Sequence, residues 1–211
     1  GCSIMTHTYQ PVIKLCGLMS EADVKLINEV RPDYCGFIVD YPKSHRSKTY
    51  DEVKNLSRLV SPEVKRVGVF VDPDPELPIR MLDRGIIDLV QLHGNESDDM
   101  IRSIRVATGK PVIKAYIIKN SEDIKTALNS PADHILLDKG RGDGRSFDWS
   151  LAAEADRPFF LAGGLNLHNI GEAMEYLHPF GLDISSGAET EGTKDPEKVK
   201  KIMELVRRVE E

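Results

Sequence analysis

Eight times along the 211 residues a short apolar run gives way to a stretch with helical spacing, and this repetition limits the fold more than any other feature. Strands are read at 12–18, 34–39, 64–71, 88–93, 112–118, 134–137, 159–161 and 182–184. Helices follow at 20–30, 50–60, 75–84, 96–107, 121–128, 149–155, 167–176 and 196–209. Most of the strand runs are continuously apolar, as happens when a parallel strand is buried on both faces. Right-handed crossovers then place every helix outside, so eight units close into a single-domain (β/α)8 TIM barrel of the α/β class with a parallel eight-stranded sheet. A doubly wound open sheet is the rival, but it usually carries a glycine-rich fingerprint after its first strand. Here that turn is Cys16-Gly17-Leu18-Met19-Ser20, with one glycine, so the barrel is preferred.

The barrel is assigned to residues 11–211. Residues 1–10 are set apart as a disordered or tag-derived N-terminus, because the first eight show no periodicity and Met5 is a candidate native start. A net charge of −6 without a basic stripe argues against a nucleic-acid or anionic-membrane surface. No apolar stretch reaches the roughly 20 residues that span a bilayer, and a cytoplasmic location is expected. Cysteines at 2, 16 and 35 lack metal-ligand spacing and are read as free thiols. The six histidines are scattered without i, i+4 pairs, so no metal is invoked.

Two apolar runs end in small residues: Phe159-Phe160-Leu161-Ala162-Gly163-Gly164-Leu165 and Gly181-Leu182-Asp183-Ile184-Ser185-Ser186-Gly187. Glycines at 163, 164 and 187 let the backbone come close to a ligand, and the hydroxyls of Ser185 and Ser186 can donate to phosphate oxygens. Either stretch alone reads equally well as loop punctuation. Both following the final two strands of such a repeat point to a phosphate site.

Chemistry is expected where strands end at the barrel mouth. Cys16 closes the first strand, where nearby Lys14 would lower its pKa and make it a base or nucleophile; the alternative is a space-filling buried thiol. Cys35 reads as core. Asp138 follows Ile135-Leu136-Leu137, and burial there would raise its pKa and suit it to general acid catalysis; the alternative is a loop cap. Asp183 lies inside an apolar strand and so needs a buried partner or a ligand amine. Arg46, in the long loop after strand two, offers a bidentate pair to a substrate carboxylate or is a solvated cation. Gln91 and His93 read as hydrogen-bonded core residues.

These stretches, taken together, resemble the signature blocks of phosphoribosylanthranilate isomerase. The blocks are Ile13-Lys14-Leu15-Cys16-Gly17, Gly36-Phe37 with Pro42-Lys43-Ser44 and Arg46, Val67-Gly68-Val69-Phe70-Val71, and Val90-Gln91-Leu92-His93-Gly94. They continue through Leu136-Leu137-Asp138, Phe147-Asp148-Trp149, Ala162-Gly163-Gly164-Leu165 and Asp183-Ile184-Ser185-Ser186-Gly187-Ala188-Glu189, in family order from residue 13 to 189. The resemblance implies an Amadori rearrangement of N-(5-phosphoribosyl)anthranilate to the carboxyphenylamino-deoxyribulose phosphate, a step of tryptophan synthesis, with no cofactor. It implies that Cys16 is the general base at C2 and Asp138 the general acid at the ring oxygen. It places Arg46 on the anthranilate carboxylate, Asp183 near the anthranilate amine, and Gly163, Gly164, Ser185, Ser186 and Gly187 on the phosphate. The partner implied is the phosphosugar, with association with other tryptophan-pathway enzymes as a further expectation.

The chain departs from the family pattern twice. Leu18-Met19 stands where Ile-Thr is usual, and the sixth loop reads Arg141-Gly142-Asp143-Gly144 in a shortened segment. Asp143 beside a phosphate would be repulsive, so Gly142 and Gly144 are weak phosphate candidates. Two other readings stay open: a non-catalytic sugar-phosphate-binding barrel serving as sensor or partner subunit, and another phosphosugar isomerase or epimerase.

Overall fold

A computed structural model of the chain describes residues 9–140 and 149–208. Its barrel strands are β1 Val12–Cys16, β2 Tyr34–Val39, β3 Lys65–Phe70, β4 Leu89–Leu92, β5 Val112–Ile117, β6 His134–Asp138, β7 Phe159–Ala162 and β8 Gly181–Ile184. Each is parallel to the next, and β8 returns to β1 with Lys14 opposite Asp183, so the sheet closes. Closure removes both sheet edges. The expected barrel is the fold.

The helices are α1 Glu21–Val30, α2 Tyr50–Ser57, α3 Glu76–Asp83, α4 Asp98–Thr108, α5 Ser121–Leu128, α6 Trp149–Ala152, α7 Ile170–Leu177 and α8 Pro196–Val206. Polar caps fix where several of them begin. Ser20 accepts from the Asp23 N–H, Thr49 with Glu52 and Asn120 with Asp123 form capping boxes, and Asp195 caps α8 with Pro196 in its first turn. The apolar run carries β1 on to residue 18 in the sequence, but the strand stops at Cys16 because Gly17 turns the chain at φ 87. The helical spacing likewise draws α2, α6 and α7 too long. Short pieces went unread: Ser47–Lys48, which pairs with the end of β2, and the hairpin of Glu189–Thr190 with Thr193–Lys194 after β8. Two-residue strands are too brief to leave a period in the sequence.

Alternation along each strand divides the side chains between two cores. Ile13 and Leu15 of β1, Ile135 and Leu137 of β6, and Leu182 and Ile184 of β8 pack outward against the helices. Val67, Val69, Leu89, Ile113, Ala115, Leu136 and Phe160 fill the barrel, where Tyr34 meets Phe160 edge-on at 5.6 Å. The same alternation turns Lys14 and Cys16, Gln91 and His93, Asp138 and Asp183 inward. Tyr9, which lies in the segment set apart by sequence, donates its hydroxyl to the Pro179 carbonyl oxygen at 2.5 Å. No helix among the described residues is long and apolar enough to cross a membrane.

Candidate active site

Three strand ends supply the titratable groups. Lys14 is fully buried, and its Nζ lies 3.0 Å from Oδ1 of Asp183, the neighbour across the β1–β8 seam. Asp183 thus has the buried partner its position in the strand demanded. A buried ion pair is weak evidence for stability, since an apolar pair of similar volume would usually pack at least as well. The charges sit beside Cys16 at the end of the same strand. Burial works against the Lys14 ammonium, but Asp183 and Cys16 together hold its pKa above the ordinary lysine value. Room for the group comes from Gly36 of β2, opposite Cys16: a Cβ there would lie 2.8 Å from the Cys16 Sγ and 3.3 Å from the Lys14 Nζ.

Asp138 ends β6 facing the barrel. Its Oδ1 accepts the Gly140 N–H at 2.8 Å, and its Oδ2 lies 3.1 Å from Nε2 of His93. Nδ1 of His93 is 3.0 Å from Nε2 of Gln91. The contact with His93 favours the ionised form of Asp138, so it is Nε2 that donates to the carboxylate. His93 and Gln91, read from sequence as core, orient Asp138.

Both pKa expectations are reversed. Burial raises the Cys16 thiol, and Lys14 recovers only part of that shift because Asp183 opposes it. Burial also pushes Asp138 upward, but the bonds from His93 and the Gly140 N–H, with the charge of Lys139, carry it below the usual carboxylate range. The resting pair is therefore thiol and carboxylate.

Arg46 bears on a carboxylate, but one belonging to the protein. Its Nε and Nη2 donate to Oε2 and Oε1 of Glu189 at 2.9 and 2.5 Å, and its stem crosses Gly17. Lys194 Nζ lies 2.7 Å from Glu189 Oε2. Burial would raise Glu189, yet Arg46 and Lys194 hold it down at about 2. The sequence reading gave Glu189 no role, although a carboxylate closing the small-residue run Ser185-Ser186-Gly187-Ala188 was a signal for one. Cys35 is core as read, with burial pushing its thiol up to about 12.

The last two loops meet. Gly163 and Gly164 adopt φ 99 and 70, and a Cβ on Gly187 would strike the backbone of Leu165. Gly187 lets the two turns touch, while Gly163 and Gly164 supply the left-handed backbone of the first turn. Ser185 and Ser186 continue the second turn, with Ser185 Oγ beside Gly17. A groove of about 350 Å³ beside the turns is lined by Gly164, Ser186, Gly187 and Lys198, among others. Cys2, Arg141, Gly142, Asp143, Gly144, Phe147 and Asp148 lie outside the described residues. Among the described residues, no three His, Cys, Asp or Glu side chains gather as a metal site.

Residues 13–205 match the family model described as N-(5'phosphoribosyl)anthranilate (PRA) isomerase. The chain belongs to the phosphoribosylanthranilate isomerase family. An N-(5'-phosphoribosyl)anthranilate isomerase of Endomicrobium trichonymphae is 39% identical over 202 residues, which cover 93% of this chain and 98% of that one. The phosphoribosyl anthranilate isomerase structure from Thermotoga maritima superposes with a TM-score of 0.85 at 35% identity, over 94% of this chain and 100% of the other. A further family structure, in complex with reduced 1-(o-carboxyphenylamino)-1-deoxyribulose 5-phosphate, has a TM-score of 0.82 at 35% identity, with the same coverage. Membership in the phosphoribosylanthranilate isomerase family makes this chain an isomerase of tryptophan biosynthesis.

Proposed function

We propose that the barrel, residues 11–211, converts N-(5-phosphoribosyl)anthranilate to the carboxyphenylamino-deoxyribulose phosphate, with Cys16 as base and Asp138 as acid. The observation that carries this reading is the inward placement of a thiol and a carboxyl group at one barrel mouth, beside two touching glycine turns. Protonation of the furanose oxygen by Asp138 breaks the C1–O bond, and the nitrogen lone pair forms an iminium. Its positive charge acidifies the C2 proton, which passes to the Cys16 thiolate. The resulting enol tautomerises to the ketone, gaining a proton at C1 and losing one from oxygen, so no cofactor is required.

The resting charges give this scheme a definite starting point. Thiol with carboxylate and thiolate with carboxylic acid hold the same number of protons, so the working pair arises without net proton uptake. Arg46 engages the anthranilate carboxylate through its remaining Nη1 edge, and Asp183 faces the amine. Gly163, Gly164, Ser185, Ser186 and Gly187 hold the phosphate, which fixes the sugar between the two groups. The fluorescence of enzymatically generated phosphoribosylanthranilate decays on adding the protein if the proposal holds. A flat trace with folded protein, together with failure to rescue an auxotroph lacking the isomerase, overturns it in favour of a non-catalytic sugar-phosphate barrel.

A further inference from the structure

Lys139 follows Asp138 at the end of β6 and stands over the Gly163–Gly164 turn. A Cβ on Gly163 would lie 2.6 Å from the Lys139 Cγ and 2.7 Å from the Asp138 Oδ1. One on Gly164 would lie 2.7 Å from the Lys139 Nζ and 2.9 Å from its Cε. The lysine stem thus runs along one glycine and its ammonium rests on the other. The buried lysines, and Lys198 beside the turns, are committed elsewhere. Lys14, Lys114 and Lys194 are ion-paired with Asp183, Glu96 and Glu189, and Lys198 donates to the Glu189 carbonyl oxygen. Among the described residues, the Lys139 ammonium has no hydrogen bond or ion pair.

A phosphate monoester brings nearly two negative charges to a site whose other donors are backbone N–H groups and two serine hydroxyls, with Lys198 beside them already donating to the Glu189 carbonyl oxygen. Neutral donors leave that charge uncompensated, whereas a half-buried ammonium at hydrogen-bond range balances part of it. We propose that Lys139 is the cation of the phosphate site, closing over the phosphoryl group held at the Gly163–Gly164 turn. This rests on the reading of the substrate as a sugar phosphate. It also ties the phosphate to the strand end that carries Asp138, so binding at one end of the sugar draws on the same segment that positions the acid.

The test is the binding of inorganic phosphate, by titration calorimetry and as a competitive inhibitor, to the whole chain and to Lys139→Met, Lys139→Arg and the distant surface variant Lys125→Met. Lys139→Met is expected to weaken phosphate about tenfold and to raise KM similarly with little change in kcat, as loss of one charged hydrogen bond does. Lys139→Arg should restore most of the affinity and Lys125→Met should change nothing. Should Lys139→Met not fold, Lys139→Gln carries the same comparison. Equal phosphate affinity in the wild type and Lys139→Met, or no phosphate binding by the wild type, overturns the assignment. Turnover of phosphoribosylanthranilate is read separately, so a protein that isomerises it with a phosphate affinity indifferent to Lys139 refutes this inference alone.

Discussion

Nε2 of His93, the residue after β4, stands 3.1 Å from Oδ2 of Asp138, and its ring also meets the side-chain amide of Gln91 within the strand. Strand β4 thereby sets the charge of a group on β6. A bond donated by His93 favours the ionised carboxyl group, so its removal leaves burial to raise the Asp138 pKa. When the active pair shares one proton, kcat/KM rises through the lower pKa, that of Asp138, and falls through the upper one, that of Cys16. His93→Phe should move the acidic limb of the pH profile to higher pH, whereas Asp138→Asn should lower kcat about 10²–10⁴-fold with the fold retained. An unmoved acidic limb in His93→Phe would separate the histidine from the acid.

Cys16→Ala removes the proposed base and should cost a similar 10²–10⁴-fold in kcat. Lys14→Met takes away the cation that draws the thiol pKa down, so the alkaline limb should rise and the plateau should fall. The rate of alkylation at Cys16 by iodoacetamide, followed against pH by mass spectrometry, reports the same shift without turnover. Lys14→Met also strands Asp183, so melts should show a loss of about 3–5 kcal/mol.

Gly36→Ala is the sharpest test of the packing around the thiol. The new methyl would sit 2.8 Å from the Cys16 Sγ, which must move or force β1 and β2 apart. Overpacking of this kind typically costs about 1–3 kcal/mol. The expected result is a soluble barrel with a lowered melting temperature and a kcat reduced far more than KM. Wild-type turnover in Gly36→Ala would show that the thiol's position is not critical.

Glu189 links the site to acid stability. Its folded pKa of about 2 lies below the ordinary 4.5, so its contribution is complete above the higher value and is lost as pH falls towards the lower one. The stabilisation at neutral pH is on the order of 2 kcal/mol. Glu189→Gln leaves Arg46 and Lys194 without their counter-charge and should melt well below the wild type at pH 7. That gap should narrow between pH 4.5 and 2; a gap independent of pH would mean that Glu189 contributes by shape and not by charge.

Much of the site was legible because strand alternation is a local rule. Once Ile13 and Leu15 are assigned outward, Lys14 and Cys16 face inward, and the same holds for Leu136 and Asp138 beside Ile135 and Leu137. The protonation states were not legible. They depend on His93, Gly140 and Lys139 around Asp138, and on Asp183 beside Lys14, contacts that link loops and strands up to 169 positions apart in the chain. Arg46 is read from the sequence for a carboxylate of the substrate, whereas the carboxylate it meets in the fold, that of Glu189, lies 143 residues away and carries no periodic signal.

The eight strand and helix units, their closure into a barrel and the residue types offered at its mouth follow from the amino-acid order, because hydrophobic period and turn chemistry are properties of neighbouring residues. Which charges meet, and with them the resting thiol and carboxylate, is settled by how the chain packs in three dimensions. Those depend on distance and burial between groups remote in the chain, and electrostatic energies follow separation in space.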